Sequence, residues 1–456
     1  AQTYTGSTTV SAGELAITGA GTLASTSLIT NNGGTLSTDG GALAATSTLQ
    51  NGGTLTITGT EAIANVTSGT GTINVNGAAT ELQIAGSGGG STIAGAVNGQ
   101  GTLVLNGTTE IAATTGDVNI DTTVGSTGIV TNNGAVSAVA NAGDFTNNAV
   151  AGAITNTGTL ALGDTTAGMV IVPSETASVT QNTQAGATTA VEGDANVAGL
   201  IDIDTGSLTV ENGNTLDAQG NVDIAAAATL AVEQNAAITT GSITNASTAA
   251  SSNDGTVGVV NNSGVFNNTT NGTVASLSNT AGTFTNTGNI TGTSLVTGGI
   301  LQIDGGTSGA VTNSGNTITP TTGTVNLTEG SIASLTNDAN AGATTVTGGQ
   351  VVGTTTINGG TVQVNDTTVD MNALELAGTT TVDGGILTVT AGDVGAVIND
   401  GPTDLGDAND ADEVIINGGT VASLVNNTGE TLVDGGEILG LSTINGGSLD
   451  VDAGIV

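Results

Sequence analysis

Apolar and polar residues alternate along this chain in short runs, and a tight glycine turn separates each run from the next. Clear examples are Asn51-Gly52-Gly53-Thr54-Leu55-Thr56-Ile57, Asn358-Gly359-Gly360-Thr361-Val362-Gln363-Val364 and Asp383-Gly384-Gly385-Ile386-Leu387-Thr388-Val389. The same turn recurs at Asn32-Gly33-Gly34, Asn417-Gly418-Gly419, Asp434-Gly435-Gly436 and Asn445-Gly446-Gly447. A period of two over a few residues predicts a short strand with one buried face, and Asn-Gly or Gly-Gly predicts a corner. Helical periodicity is missing. Ala225–Ala228 is the best candidate for a helical turn, and the Thr and Gly around it argue against a longer one.

The three phenylalanines fall in one local pattern: Gly143-Asp144-Phe145-Thr146-Asn147, Gly264-Val265-Phe266-Asn267-Asn268 and Gly282-Thr283-Phe284-Thr285-Asn286. In a strand, residues two apart share a face, so Phe points inward and Asn follows it on the same side at a corner. Asn at equivalent corners can stack as a hydrogen-bonded ladder. Strands this short cannot bury a face alone, but successive coils stacked on one another can. The expected fold is therefore all-β, a single continuous parallel β-helix (β-solenoid) over residues 1–456. At roughly 20 residues per coil and about 4.8 Å of rise, it would form a rod on the order of 110 Å long.

Two stretches interrupt the pattern. Residues 399–414 carry six acids and Pro402 and read as an acidic loop inserted between coils. Residues 165–195, with Pro173 and little alternation, read as a second interruption.

The phrases Ser278-Asn279-Thr280-Ala281-Gly282-Thr283-Phe284-Thr285-Asn286-Thr287-Gly288-Asn289-Ile290-Thr291-Gly292 and Ile154-Thr155-Asn156-Thr157-Gly158-Thr159-Leu160 resemble the passenger regions of bacterial autotransporter proteins. The resemblance implies a right-handed β-helix that is displayed at, or shed from, the outer membrane of a Gram-negative bacterium, commonly as an adhesin. The chain departs from it by carrying no C-terminal translocator barrel and no Lys or Arg. An opening at Ala1-Gln2-Thr3-Tyr4 suits a mature form after signal-peptide removal, and the repeat still running at Val456 suggests a piece of something longer.

Composition narrows the function more than any motif does. The chain has 38 acids, no Lys, Arg or His and a net charge of −38. It has no ion-pair partner for a phosphate and would be repelled by a nucleic-acid backbone, so nucleic acid is excluded as a partner. No apolar run is long enough for a membrane-spanning helix. Cysteine is absent, which removes disulfides and thiolate metal sites. Aromatics make up 1% of the chain, so the core must be built from Val, Ile, Leu and Ala.

Acid–base chemistry would have to come from carboxylates alone. Asp202 and Asp204, in Leu200-Ile201-Asp202-Ile203-Asp204, share a strand face and are the candidates for a two-carboxylate polysaccharide hydrolase; they equally suit the solvent side of an amphipathic strand. No cofactor is required. Calcium is the candidate ligand, because Asp404, Asp407, Asn409, Asp410, Asp412 and Glu413 crowd hard oxygen donors into one loop, a run that also reads as a solvated acidic turn. Thr-x-Thr alternation at Thr54, Thr56 and Thr58, at Thr379 and Thr381, and at Thr388 and Thr390 raises a third reading, an ice- or surface-binding solenoid. The expectation is a non-enzymatic, secreted or surface-displayed structural β-solenoid that acts in adhesion or as a matrix or fibre component. Its expected partners are copies of itself and a host-cell, polysaccharide or abiotic surface.

Overall fold

The computed structural model describes the chain except residues 1–5, 24–27, 68, 87–89, 113–116, 163–173, 182–186, 315–322, 366–374 and 401–413. Its regular structure among the described residues is entirely β-strand, paired in parallel as a β-solenoid. Ala225–Ala228 form no helical turn. They lie inside the strand Val222–Val232, where coil-to-coil pairing supplies hydrogen bonds that an isolated helical turn would lack. The chain divides into two compact units, one of Ala1–Thr229 with Ala236–Gly241 and one of Leu230–Asn235 with Ser242–Val456.

The first unit shows how the coil closes. Strands Ile129–Asn132, Ala135–Val136 and Val139–Asn141 take one turn, and Asp144 then returns to pair with Ile129. This coil is 15 residues long. Most strands bury alternate residues, and like stacks on like: Leu15, Leu36, Leu55 and Ile73 form one inward column and Ile29, Leu49 and Val66 another. Each aliphatic side chain so buried contributes on the order of 1.5–3 kcal/mol, which is how a chain almost without aromatics holds a core.

In the second unit the Gly-x-Phe-x-Asn motif does what its spacing predicts. Phe266 and Phe284 pair in register and stack with ring centroids 5.3 Å apart at an interplanar angle of 7°. Two residues before each phenylalanine, a glycine column marks the corner. Gly264, Gly282 and Gly299 lie over one another, and a Cβ on either of the upper two would strike the carbonyl oxygen of the glycine one coil below. Gly128, Gly143 and Gly158 repeat the arrangement in the first unit.

Asn ladders are the second device. Asn253 donates its amide to Asn268 at 2.8 Å, and Asn268 donates to Asn286 at 2.7 Å. A parallel ladder runs Asn245 to Asn262 to Asn279, each step 2.8 Å. The first unit has Asn31 to Asn51 at 3.0 Å, Asn132 to Asn147 at 2.8 Å and Asn141 to Asn156 at 2.8 Å. All these side chains are buried, so the amides are interior groups that satisfy one another from coil to coil. Where Val296 takes the Asn position beneath Asn313, the buried Asn313 Oδ1 has no partner among the described residues.

Asn268→Ala should therefore destabilise its coils by about 3 kcal/mol. It removes a bond from Asn253, which keeps the Thr273 carbonyl at 3.2 Å, and takes its side-chain donor from the buried Asn286 Oδ1, an orphan that alone costs about 1–3 kcal/mol. The outward neighbour Asn267→Ala should stay within about 0.5 kcal/mol. Native-state hydrogen exchange over Val265–Asn268 and Thr283–Asn286 checks this, since stacked repeats open locally. Equal exchange in the two variants would refute the ladder's role.

Coil length varies. Asn427 bonds Asp400 across 27 residues, against 18 for Asn268 and Asn286. The acidic stretch expected at 399–414 occupies this long coil: Asn399 ends the strand Asp393–Asn399, Val414 opens the strand Val414–Ile416, and 401–413 lie outside the described residues. Of the interruption expected at 165–195, residues 165–173 and 182–186 lie outside the described residues, and the strands Ser174–Gln181 and Thr188–Val191 pair with the coil below.

Candidate functional site

The chemistry available to this protein lies mainly on the outward half of each strand, because the inward half is filled mostly by aliphatics, Phe, Asn and small hydroxyls, and the buried Glu61 carboxylate accepts from the Ala42 and Leu43 N–H groups at 3.1 and 2.9 Å. Three outward arrangements stand out.

Asp202 sits above Thr180 in the coil below. Ile201 N–H donates to the Asn221 carbonyl at 3.0 Å, which carries Asp223 to the neighbouring position one coil on. Asp204 lies two residues along the same strand face. Three carboxylates are thus neighbours with no cationic side chain anywhere in the chain. Burial pushes the half-buried Asp202 carboxyl above the usual carboxylate range, and the charges of Asp204 and Asp223 push it further. The structure brings the two sequence-selected acids together and adds Asp223, whose buried Oδ1 has no partner among the described residues. Asp223 was invisible to spacing because it belongs to the next coil.

A carboxyl whose folded pKa is raised binds its proton more tightly when folded. Its contribution to stability is therefore lost as pH rises through the folded pKa. Asp202→Asn should raise the melting temperature at neutral pH, and the advantage should vanish on acidification below the ordinary carboxylate range. Thermal unfolding across a pH series measures it; an asparagine variant less stable than the parent at neutral pH would contradict the repulsion.

The threonine pairs singled out in the sequence fall in different places. Thr54 stacks between Thr35 and Thr72, and Thr56 between Ser37 and Asn74. Thr58 turns back to donate to the Thr38 carbonyl at 3.1 Å. Thr388 stacks between Gln363 and Ile415, while Thr390 donates to the Val364 carbonyl at 3.2 Å. Thr381 tops a column the sequence did not reveal: Thr312 pairs with Thr336, Thr336 with Thr356 and Thr356 with Thr381, all half-buried on one outward face. Beside it run Ser334, Thr354 and Thr379. A second outward column reads Asn267, Thr285, Gln302, Asn326, Thr345, Gln363 and Thr388. These columns carry hydroxyls and amides without a charge, one residue per coil.

Concave features are shallow. A groove of about 370 Å³ in the first unit is lined by Val150, Ala151, Thr176, Ala177, Asn196, Ala198 and Gln219, small aliphatic, hydroxyl and amide side chains. Among the described residues no group of three or more Asp or Glu is arranged to hold a metal ion. The calcium candidates Asp404, Asp407, Asn409, Asp410, Asp412 and Glu413 lie outside the described residues. Among the described residues no helix is long and apolar enough to cross a membrane. The chain matches no family model, no curated protein and no solved structure.

Proposed function

We propose that this protein is a secreted or surface-displayed structural β-solenoid, of the autotransporter-passenger type, that adheres through its side faces and assembles with copies of itself. One observation carries the reading: the outward columns repeat uncharged hydroxyl and amide groups in register from coil to coil. Such a face suits many weak, regularly spaced contacts to an extended partner, whereas an enzyme needs groups converging on one reacting atom. The absence of cysteine and cationic side chains fits an exterior setting and repels anionic competitors. No catalytic activity and no cofactor enter this proposal.

The test is adhesion of beads coated with the full chain to immobilised neutral polysaccharide, to host cells and to glass, with Thr336→Lys/Thr356→Lys and Gln302→Lys/Gln363→Lys variants. Retention by the parent and loss in either column variant supports the reading. No retention on any surface, or retention indifferent to both variants, overturns it.

A second reading rests on the Thr312–Thr336–Thr356–Thr381 column with its flanking hydroxyls, a regular hydroxyl grid that would suit ice or a mineral face. Ice-recrystallisation assays separate the two: inhibition abolished by Thr336→Lys/Thr356→Lys, without adhesion to cells or polysaccharide, would replace the first reading.

A further inference from the structure

Asn-Gly, the dipeptide that turns many corners here, is also the sequence most prone to intramolecular succinimide formation, because glycine leaves its amide nitrogen unshielded. The fold treats chemically identical Asn-Gly pairs in opposite ways. We infer that Asn76 and Asn417 are sites of self-modification in the folded protein, converting to aspartate and isoaspartate, while Asn51, Asn133 and Asn271 are protected by their hydrogen bonds.

The reaction needs a mobile side-chain amide and a free nitrogen on the next residue. The nitrogen of the glycine attacks Asn Cγ and forms a C–N bond; the Cγ–Nδ2 bond breaks, and Nδ2 leaves as ammonia with the proton lost from the glycine amide. Water then opens the ring at either carbonyl, giving aspartate or isoaspartate.

Asn51 is barred on both counts. It is buried, accepts from Asn31 at 3.0 Å and donates to the Thr72 carbonyl at 3.1 Å, and Gly52 N–H is held by the Asn31 carbonyl at 2.6 Å. Asn133 donates to Glu110 at 3.1 Å, and Gly134 N–H donates to Asn132 Oδ1 at 3.2 Å. Asn271 donates to Asp254 at 3.1 Å, and Gly272 N–H to the Thr269 carbonyl at 2.8 Å.

Asn76 and Asn417 are exposed, as are Gly77 and Gly418 after them. Neither side chain nor either glycine N–H has a hydrogen-bond partner among the described residues. Both glycines sit in the left-handed region, at φ 115° and 127°, which marks open turns outside the strand ladder. The corner of Asn417 is also built to accept the product. Asn417, Asp434 and Asp452 occupy equivalent corners of successive coils, their N–H groups donating to the Val389, Ile416 and Val433 carbonyls at 2.8, 2.9 and 3.0 Å. An aspartate at 417 therefore repeats what the next two coils already hold, and each event adds one negative charge.

The experiment incubates the purified full chain in mildly alkaline buffer, with a parallel sample in concentrated urea, and follows every Asn-Gly by peptide mapping with an acid-specific protease, since trypsin has no site here. Isoaspartate is the diagnostic product, because direct hydrolysis yields aspartate alone. The expected result is isoaspartate at Asn76 and Asn417 in the native sample at rates within a few-fold of the urea sample. Asn51, Asn133 and Asn271 should be slowed by about tenfold or more, reflecting the free energy of local opening. Native Asn51 reacting as fast as Asn417, or Asn76 and Asn417 remaining unmodified in the native sample while they react in urea, overturns the inference.

Discussion

Gly282→Val is expected to open the coils around it at a cost of about 4 kcal/mol. Two penalties add. Gly282 has φ 64°, a left-handed conformation that costs a β-branched residue about 1–3 kcal/mol. Its new Cβ would also be driven into the Gly264 carbonyl oxygen in the coil beneath, and that carbonyl cannot yield, because it accepts the Thr283 N–H at 2.8 Å in the coil ladder. Overpacking of this sort costs roughly 1–3 kcal/mol more. Gly6→Val is the control, since an added Cβ there meets nothing within 4 Å. Hydrogen exchange over Thr283–Asn286 reads the effect, and a Gly282→Val coil as protected as the control would remove steric stacking as the reason for the glycine columns.

Phe284→Ala should cost about 3–5 kcal/mol, the usual range for emptying a buried phenylalanine site. The ring is fully buried between Phe266 below and Leu301 above. Neighbouring coils cannot collapse into the gap without breaking their registered hydrogen bonds. Phe284→Leu keeps most of the volume and should cost under about 1.5 kcal/mol. Urea unfolding followed by exchange of the flanking strands distinguishes them; similar losses for both would mean the site relaxes freely.

Several features were legible without coordinates. Gly-x-Phe-x-Asn carried its own geometry: a period of two puts Phe and Asn on one face, and repetition at near-coil spacing puts each over its copy. Phe266 over Phe284 and Asn268 bonded to Asn286 are the result. The helical expectation at Ala225–Ala228 failed because alanine's local preference is weak beside a full ladder of coil-to-coil bonds. Asp202 and Asp204 were legible as a pair because they belong to one strand; Asp223 was not, because it reaches them only through coil register.

The alternating runs and glycine corners by themselves determined the class of fold, since strands of three to five residues can bury an apolar face only by stacking. They also determined what the protein does not hold: a chain without Lys, Arg, His or Cys has neither ion-pair donors nor thiolates wherever it folds. Tertiary structure alone decided which residues share a column. Partners in the ladders lie 15 residues apart at Asn132 and Asn147, 20 at Asn31 and Asn51, and 27 at Asp400 and Asn427. With coils of unequal length, equal spacing in space is not equal spacing in sequence. The threonine column at 312, 336, 356 and 381 and the opposite fates of identical Asn-Gly turns follow from that register, which the hydrogen-bonded packing of one coil on the next sets and no local pattern encodes.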